Sequence, residues 1–201
     1  MMFTIIFPVL NERLRLESGV TRTVEYLQSI AFEDYEIIIV DNGSEDETPQ
    51  IAENLCKKYD KVKYERINVR GVGAAFRRGV EVSHGDVVGY MDIDLSTNIR
   101  HLGEAIHLFE TQPEIQYING SRFARESDTR GRKWYRRITS QGLLILLKLF
   151  LRMKSTDAIC GFTFVRRETA LSLIEGCSRD NGWFYICLLY TSPSPRDMRR
   201  S

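Results

Sequence analysis

Short runs dense in β-branched and aromatic residues alternate, along the first 120 residues, with longer stretches whose apolar side chains recur at helical spacing. The runs at 3–10, 35–40, 62–67, 87–91 and 115–119 read as strands, the first two apolar almost throughout, as strands buried on both faces are. Between them 20–30, 48–59 and 71–82 read as helices, and Leu102, Ala105, Ile106 and Phe109 fall at i, i+3, i+4 and i+7 of another. A helix between two strands brings the second round parallel to the first. The chain is therefore predicted to be an α/β protein with a mostly parallel central sheet and helices on both faces.

In such sheets ligands bind outside the carboxyl ends of the strands. Polar clusters stand at three of these ends: Asn11-Glu12 after the first run, residues 41–46 after the second, and Asp92-Ile93-Asp94 after the fourth. Bulk charge selects no partner, because 28 Lys and Arg oppose 27 Asp and Glu among 201 residues, a net charge of +1. That balance argues against a dedicated nucleic-acid module. Cys56, Cys160, Cys177 and Cys187 form no C-x-x-C pair, so neither a zinc site nor a disulfide framework is expected, and reduced thiols in the cytoplasm are. The apolar start runs straight into Asn11-Glu12, as a strand does and a signal peptide does not. The longest later apolar run, 142–151, contains Lys148 and falls short of the roughly 18–20 residues of a spanning helix, so no transmembrane span is expected. It suits a core or, failing that, a bilayer surface.

Each polar cluster has a chemical and a plain reading. Asp92 and Asp94 can place two carboxylates on one divalent ion, with Ser96 adding a hydroxyl or water-mediated ligand; Mg2+ or Mn2+ suits such oxygens. The same residues can form an acidic turn. Asp41 can accept a hydrogen bond from a base or ribose, or stand as a solvated residue beside a turn in which Asn42-Gly43 reverses the chain and Ser44 or Asp46 caps the next helix. Gly71-Val72-Gly73-Ala74 opens a helix as phosphate-binding loops do, yet lacks a G-K-[ST] ending and, with Phe76, the third glycine of a dinucleotide loop. Close packing of helix on sheet explains it as well. Between residues 122 and 137 seven basic residues oppose Glu126 and Asp128, a local excess that suits an anion or a solvated loop. Arg136 and Ser140 would share one face of a helix expected over 134–153 and could grip one phosphate. A further helix is expected near 168–177, and the Pro- and Ser-containing residues 190–201 read as a disordered tail. His84, His101 and His107 show no ligand spacing.

Taken in order, Phe7-Pro8-Val9-Leu10-Asn11-Glu12, Val40-Asp41-Asn42-Gly43-Ser44 with Asp46 and Thr48, Gly71-Val72-Gly73-Ala74, Met91-Asp92-Ile93-Asp94-Leu95-Ser96, Asn119-Gly120-Ser121-Arg122 and Cys160-Gly161-Phe162 resemble the family-2 nucleotide-sugar glycosyltransferases. The likeness is greatest to the branch of dolichyl- and polyprenyl-phosphate sugar synthases and spans residues 3–189. It implies a GT-A type nucleotide-binding fold and metal-dependent, inverting transfer of a sugar from a UDP- or GDP-sugar to an acceptor, in this branch a polyprenyl phosphate. A glycan or lipid-linked hydroxyl acceptor, or a nucleotide-sugar-binding remnant without turnover, are the alternatives. The resemblance implies that Pro8, Leu10, Glu12 and Asp41 contact the nucleoside. It implies that Asp92 and Asp94 hold Mg2+ or Mn2+ on the diphosphate, with Ser96 at a third ligand position, and that Arg122, Arg136 and Ser140 face phosphates. Asp157, just before Cys160-Gly161-Phe162, is the candidate acidic residue near the acceptor, with a turn residue as its plain reading. Many relatives carry Asp-Asp-Gly-Ser where Asn42 follows Asp41 here, and Gln often stands at the position of Ser96. Residues 1–189 are expected to form the transferase domain. From Cys187 the chain departs from the family pattern, and 190–201 resembles a translated adapter, so a truncated C-terminus is expected. The expected location is cytoplasmic, peripheral on the membrane face where such an acceptor lies.

Overall fold

The computed structural model describes residues 1–120 and 161–176. In chain order these form β1 (Phe3–Val9), α1 (Leu16–Ser29), β2 (Tyr35–Asp41), α2 (Thr48–Lys58), β3 (Val62–Arg66), α3 (Val72–Val82), β4 (Val87–Met91), α4 (Arg100–Thr111), β5 (Tyr117–Asn119), β6 (Phe162–Arg166) and α5 (Arg167–Gly176). The strands form one sheet in the order β3-β2-β1-β4-β6-β5. The first four strands run parallel, while β6 is antiparallel to both β4 and β5.

Alternation along the central strands feeds two apolar layers. Phe3, Ile5, Phe7, Val9, Ile37, Ile39, Phe162 and Phe164 enter one layer, where Leu16, Val20, Val24 and Leu27 of α1, Ala52 and Leu55 of α2, and Leu102, Ile106 and Phe109 of α4 cover them. Ile6, Ile38, Val40, Val88, Tyr90 and Val165 enter the other, under Ala75, Phe76 and Val80 of α3 and Ala170 of α5. Helices on both faces of a mostly parallel sheet are thus what the strand–helix alternation predicts. The buried face of α3 includes Gly73, Ala74, Ala75 and Gly79, in keeping with the close-packing reading of that glycine-rich segment.

Two differences from the sequence reading have physical reasons. Helix α1 begins at Leu16, ahead of residue 20, because the Glu12 carbonyl already accepts the N–H groups of Arg15 and Leu16, both at 2.9 Å. Strand β6 is an element the sequence reading does not name: its Phe162 and Phe164 alternate with Thr163 and Val165, and lying between β4 and β5 it buries both sets. Running antiparallel, β6 brings its first residue to the carboxyl ends of its neighbours, with Phe162 opposite Met91. The helix expected over 134–153 and the tail at 190–201 lie outside the described residues. Among the described residues no helix is long and apolar enough to cross a membrane.

Candidate functional site

The register of β1 against β2 sets Val9 beside Asp41, so the loops that follow leave the sheet together. They lock onto each other through side chains. The Asn11 N–H donates to Ser44 Oγ at 2.9 Å, Asn11 Oδ1 accepts the Glu45 N–H at 2.9 Å, and the Glu12 N–H donates to Thr48 Oγ1 at 2.8 Å. Asn11 does this from a φ of 56°, a left-handed conformation that asparagine tolerates better than most residues. Asp46 Oδ1 accepts the Thr48 N–H at 3.0 Å at the entry to α2, whereas the Ser44 hydroxyl is spent on Asn11.

Asp41 is 0% exposed. Its Oδ1 accepts the N–H groups of Gly43 at 3.1 Å and Ser44 at 2.7 Å, a turn made possible by a φ of 91° at Gly43. Its Oδ2 accepts the Tyr64 hydroxyl at 2.9 Å and faces Arg66 Nη1 at 3.8 Å, and Arg66 also donates to the Ser44 carbonyl at 3.0 Å. Burial, and then the hydrogen bond and charge of Asp41, push the Tyr64 phenol up to about 12 despite Arg66. The turn expected at 41–46 is present, but Asp41 is not the solvated residue that the turn reading expects: its carboxylate is buried and organises the loop. Around it Pro8 pairs across the sheet with Val40, Leu10 is 39% exposed, and Glu12 meets Arg15 at 3.3 Å. Pro8, Leu10, Glu12 and Asp41 therefore share one corner of the sheet's carboxyl edge.

The acidic turn leaves β4 on the other side of β1. The Asp92 carbonyl accepts the Leu95 N–H at 3.0 Å, Leu95 has a φ of 50°, and Asp94 Oδ1 accepts the Ser96 N–H at 2.9 Å. Asp94 and Ser96 are exposed and Asp92 is half-buried. The Asp92 N–H donates to the Gly161 carbonyl at 2.9 Å, and its carboxylate lies where a side chain on Gly161 would begin: a Cβ there would overlap both Cγ and Oδ2. One carboxylate seated in a cradle that a Cβ would fill and a second open to solvent make a donor set that fits a hard divalent ion shared with a diphosphate. Among the described residues no group of three or more His, Cys, Asp and Glu gathers, so other ligands would come from phosphate, water or a hydroxyl such as that of Ser96. At the end of β5, Asn119 Oδ1 accepts the Thr163 hydroxyl at 3.0 Å and the Gly120 N–H donates to the Phe162 carbonyl at 2.9 Å, which brings the Asn119-Gly120 motif to this edge.

Arg122, Arg136, Ser140 and Asp157 lie outside the described residues, as does the rest of the basic segment 122–137. Sequence reasoning missed Tyr64 and Arg66 as partners of Asp41. The signal is the β2–β3 register, which sets Arg66 opposite Asp41 and which the sequence does not display. It noted Gly161 only as part of a motif, with no physical reason for the glycine.

Comparison with known proteins points one way. A model of glycosyl transferase family 2 matches residues 4–172. The chain is 36% identical over 186 residues to glycosyltransferase AglD of Haloferax volcanii, covering 90% of this chain and 29% of that protein. It is 31% identical over 199 residues to the dolichyl-phosphate beta-glucosyltransferase of Mus musculus, covering 93% of this chain and 61% of that protein. The chain thus spans less than two thirds of the length of these curated relatives. Among solved structures, glucosyl-3-phosphoglycerate synthase from Mycobacterium tuberculosis in complex with UDP aligns with a TM-score of 0.67 at 22% identity, over 94% of this chain and 63% of that one. Mannosyltransferase PcManGT from Pyrobaculum calidifontis, in complex with GDP-Man and Mn2+, aligns with a TM-score of 0.56 at 17% identity, over 85% of this chain and 46% of that one. At these identities the likeness is one of fold, and it is the GT-A type that the order of motifs implies.

Proposed function

The chain belongs to glycosyl transferase family 2, and on that footing we propose that it transfers a sugar, with inversion, from a nucleotide-diphosphate donor to a polyprenyl-phosphate acceptor with the help of a divalent ion. The observation that carries this reading is the meeting of two unlike corners at one sheet edge, the Asp41 corner on β2 and the Asp92–Asp94 turn after β4, with β1 between them. That spacing suits a ligand with a nucleoside at one end and a charged diphosphate at the other.

Pro8, Leu10 and Glu12 meet the nucleoside, and Asp41 serves it by holding loop 42–48 in place. Asp92 and Asp94 hold Mg2+ or Mn2+, with Ser96 as a third donor. A divalent ion bound there supplies Lewis-acid stabilisation of the departing diphosphate. Arg122 offsets phosphate charge, and Arg136 with Ser140 grips the acceptor phosphate. A phosphate monoester, with a second pKa of about 6, is already anionic at neutral pH, so its attack needs no carboxylate base, whereas a sugar hydroxyl needs one. Asp157 would matter most for a hydroxyl acceptor. The name of the Mus musculus relative favours a dolichyl-type phosphate, and the UDP, GDP-Man and Mn2+ in the structural neighbours favour the donor class and the metal. Such an acceptor places the enzyme at the cytoplasmic face of a membrane.

Calorimetric titration of UDP and GDP with and without Mn2+, followed by turnover on polyprenyl phosphate and on hydroxyl acceptors, tests the reading. One nucleotide should bind only with the metal, and transfer to the phosphate should survive Asp157→Asn. Binding indifferent to Mn2+ would refute the metal assignment. Ready transfer to hydroxyls that dies in Asp157→Asn, with polyprenyl phosphate inert, would refute the acceptor.

A further inference from the structure

We infer that Gly161 is a positioning residue for the Asp92 carboxylate, its missing side chain being the seat that presents that carboxylate to the divalent ion. The inference rests on the reading of Asp92 as a metal ligand. It names a residue from a different, non-consecutive element as the one that determines how that ligand is held.

Backbone requirements alone do not call for glycine at this position. The Gly161 carbonyl accepts the Asp92 N–H at 2.9 Å, a bond any residue could make, and the backbone of Gly161 is not in the left-handed region. What requires glycine is the carboxylate: Cγ, Oδ1 and Oδ2 of Asp92 all crowd the point where a Cβ would stand. The two strands that meet here cannot easily part to make room. β4 and β6 pair along their whole length from Val87 opposite Arg166 to Met91 opposite Phe162, and Phe162 and Phe164 are 1% exposed or less on the core side. A methyl group at 161 therefore turns the Asp92 side chain out of its rotamer before it opens the sheet. Asp94 is exposed, its Oδ1 accepts the Ser96 N–H, and none of the three atoms nearest the added Cβ belongs to it, so it keeps its place. The metal then loses one of its two protein carboxylates, while the Asp41 corner is untouched.

The test is Gly161→Ala. With UDP or GDP, whichever the wild type binds, the half-saturating Mn2+ concentration should rise at least tenfold. Binding of the corresponding nucleoside, which carries no phosphate and needs no metal, should stay within twofold of wild type. In an Asp92→Ala background, adding Gly161→Ala should change neither the Mn2+ dependence nor the melting temperature, since the clash is gone. Mn2+ half-saturation within twofold of wild type in a folded Gly161→Ala protein would overturn the inference. So would parallel loss of nucleoside binding, or an equal penalty in the Asp92→Ala background. Should Gly161→Ala fail to fold, folding of the double variant sustains the inference, and failure of both assigns Gly161 to sheet packing instead. A wild type that binds neither nucleotide in a Mn2+-dependent way defeats the proposed function itself, which separates the two failures.

Discussion

Glu36→Ala should cost the protein about 3–4 kcal/mol of stability without touching nucleotide binding. Glu36 is 2% exposed near the start of β2, at the end of the sheet opposite the site. Its carboxylate accepts the Thr4 hydroxyl at 2.7 Å, the His84 N–H at 2.6 Å and Lys63 Nζ at 2.7 Å. Thr4 is itself 0% exposed, and its Oγ1 in turn accepts the Gly85 N–H at 3.0 Å. Truncation strands the Thr4 hydroxyl and the His84 amide, each a hydrogen bond to a charged acceptor worth about 1.5–3 kcal/mol, the amide being only partly buried. The Lys63 ammonium is 48% exposed and adds little once water screens it. For a chain of this size the loss corresponds to a melting temperature lower by roughly 10 °C. Burial pushes the Glu36 carboxyl up, but the hydrogen bonds from Lys63, the His84 amide and Thr4, with the Lys63 charge, outweigh it and hold the group below its ordinary 4.5. The unfolded chain takes up the proton more readily, so this stabilisation is whole above about pH 4.5 and is lost as pH falls through the lower folded value. Urea melts from pH 7 to pH 3 read both effects, and Glu36→Gln should flatten the acid limb. A loss under 1 kcal/mol in Glu36→Ala, or an acid limb as steep in Glu36→Gln as in wild type, would refute the reasoning.

Tyr64→Phe removes the hydroxyl from Asp41 Oδ2 and should cost about 1.5–3 kcal/mol at neutral pH. Because the Tyr64 phenol is raised from 10.0 to about 12, the wild type should also lose stability as pH climbs through that window, and the variant should lack this slope in alkaline melts. Asp94→Asn should abolish Mn2+-dependent nucleotide binding and lower turnover about 10²–10³-fold with an unchanged melting temperature; turnover at the wild-type rate would remove the metal assignment. Arg136→Ala should raise the acceptor KM or lower kcat well beyond what Arg125→Ala does, and equal small effects would return the basic segment to a solvated face.

How much of this was legible in the sequence depends on the range of the interaction involved. The strands and helices up to residue 120 declare themselves through local apolar spacing, and so does the edge at which Asp41, Asp92 and Asp94 stand. Cross-strand facts do not. The turn around Asp41 is written in Asn42-Gly43-Ser44, but the Tyr64 and Arg66 contacts depend on a register that aligns Asp41 with Arg66. The alternation of Phe162 and Phe164 with Thr163 and Val165 looks like any short strand, and nothing local says that it enters between β4 and β5 rather than extending the sheet beyond them.

That insertion divides the site into a local half and a remote half. The Asp41 corner, proposed above to meet the nucleoside, is built by β1, β2, β3 and the loops beside them, and its contacts run no further than Ile67, whose N–H donates to the Asp41 carbonyl at 2.9 Å, and Arg70, which meets Glu45 at 2.7 Å. The acidic turn is different. Asp92 leaves β4 already hydrogen-bonded to Gly161, and Asn119 reaches the same edge through Thr163, so the acidic turn takes its described contacts from the β6 side of the sheet. β6 also covers the edge of β4 that a chain lacking it would leave open, with Val87 to Met91 and their unpaired backbone groups exposed to pairing with other chains. The docking that protects the sheet from aggregation is therefore the same event that seats the Asp92 carboxylate. Under the proposed function, weakening β6 should therefore lower Mn2+ affinity in a nucleotide titration before it lowers nucleoside affinity.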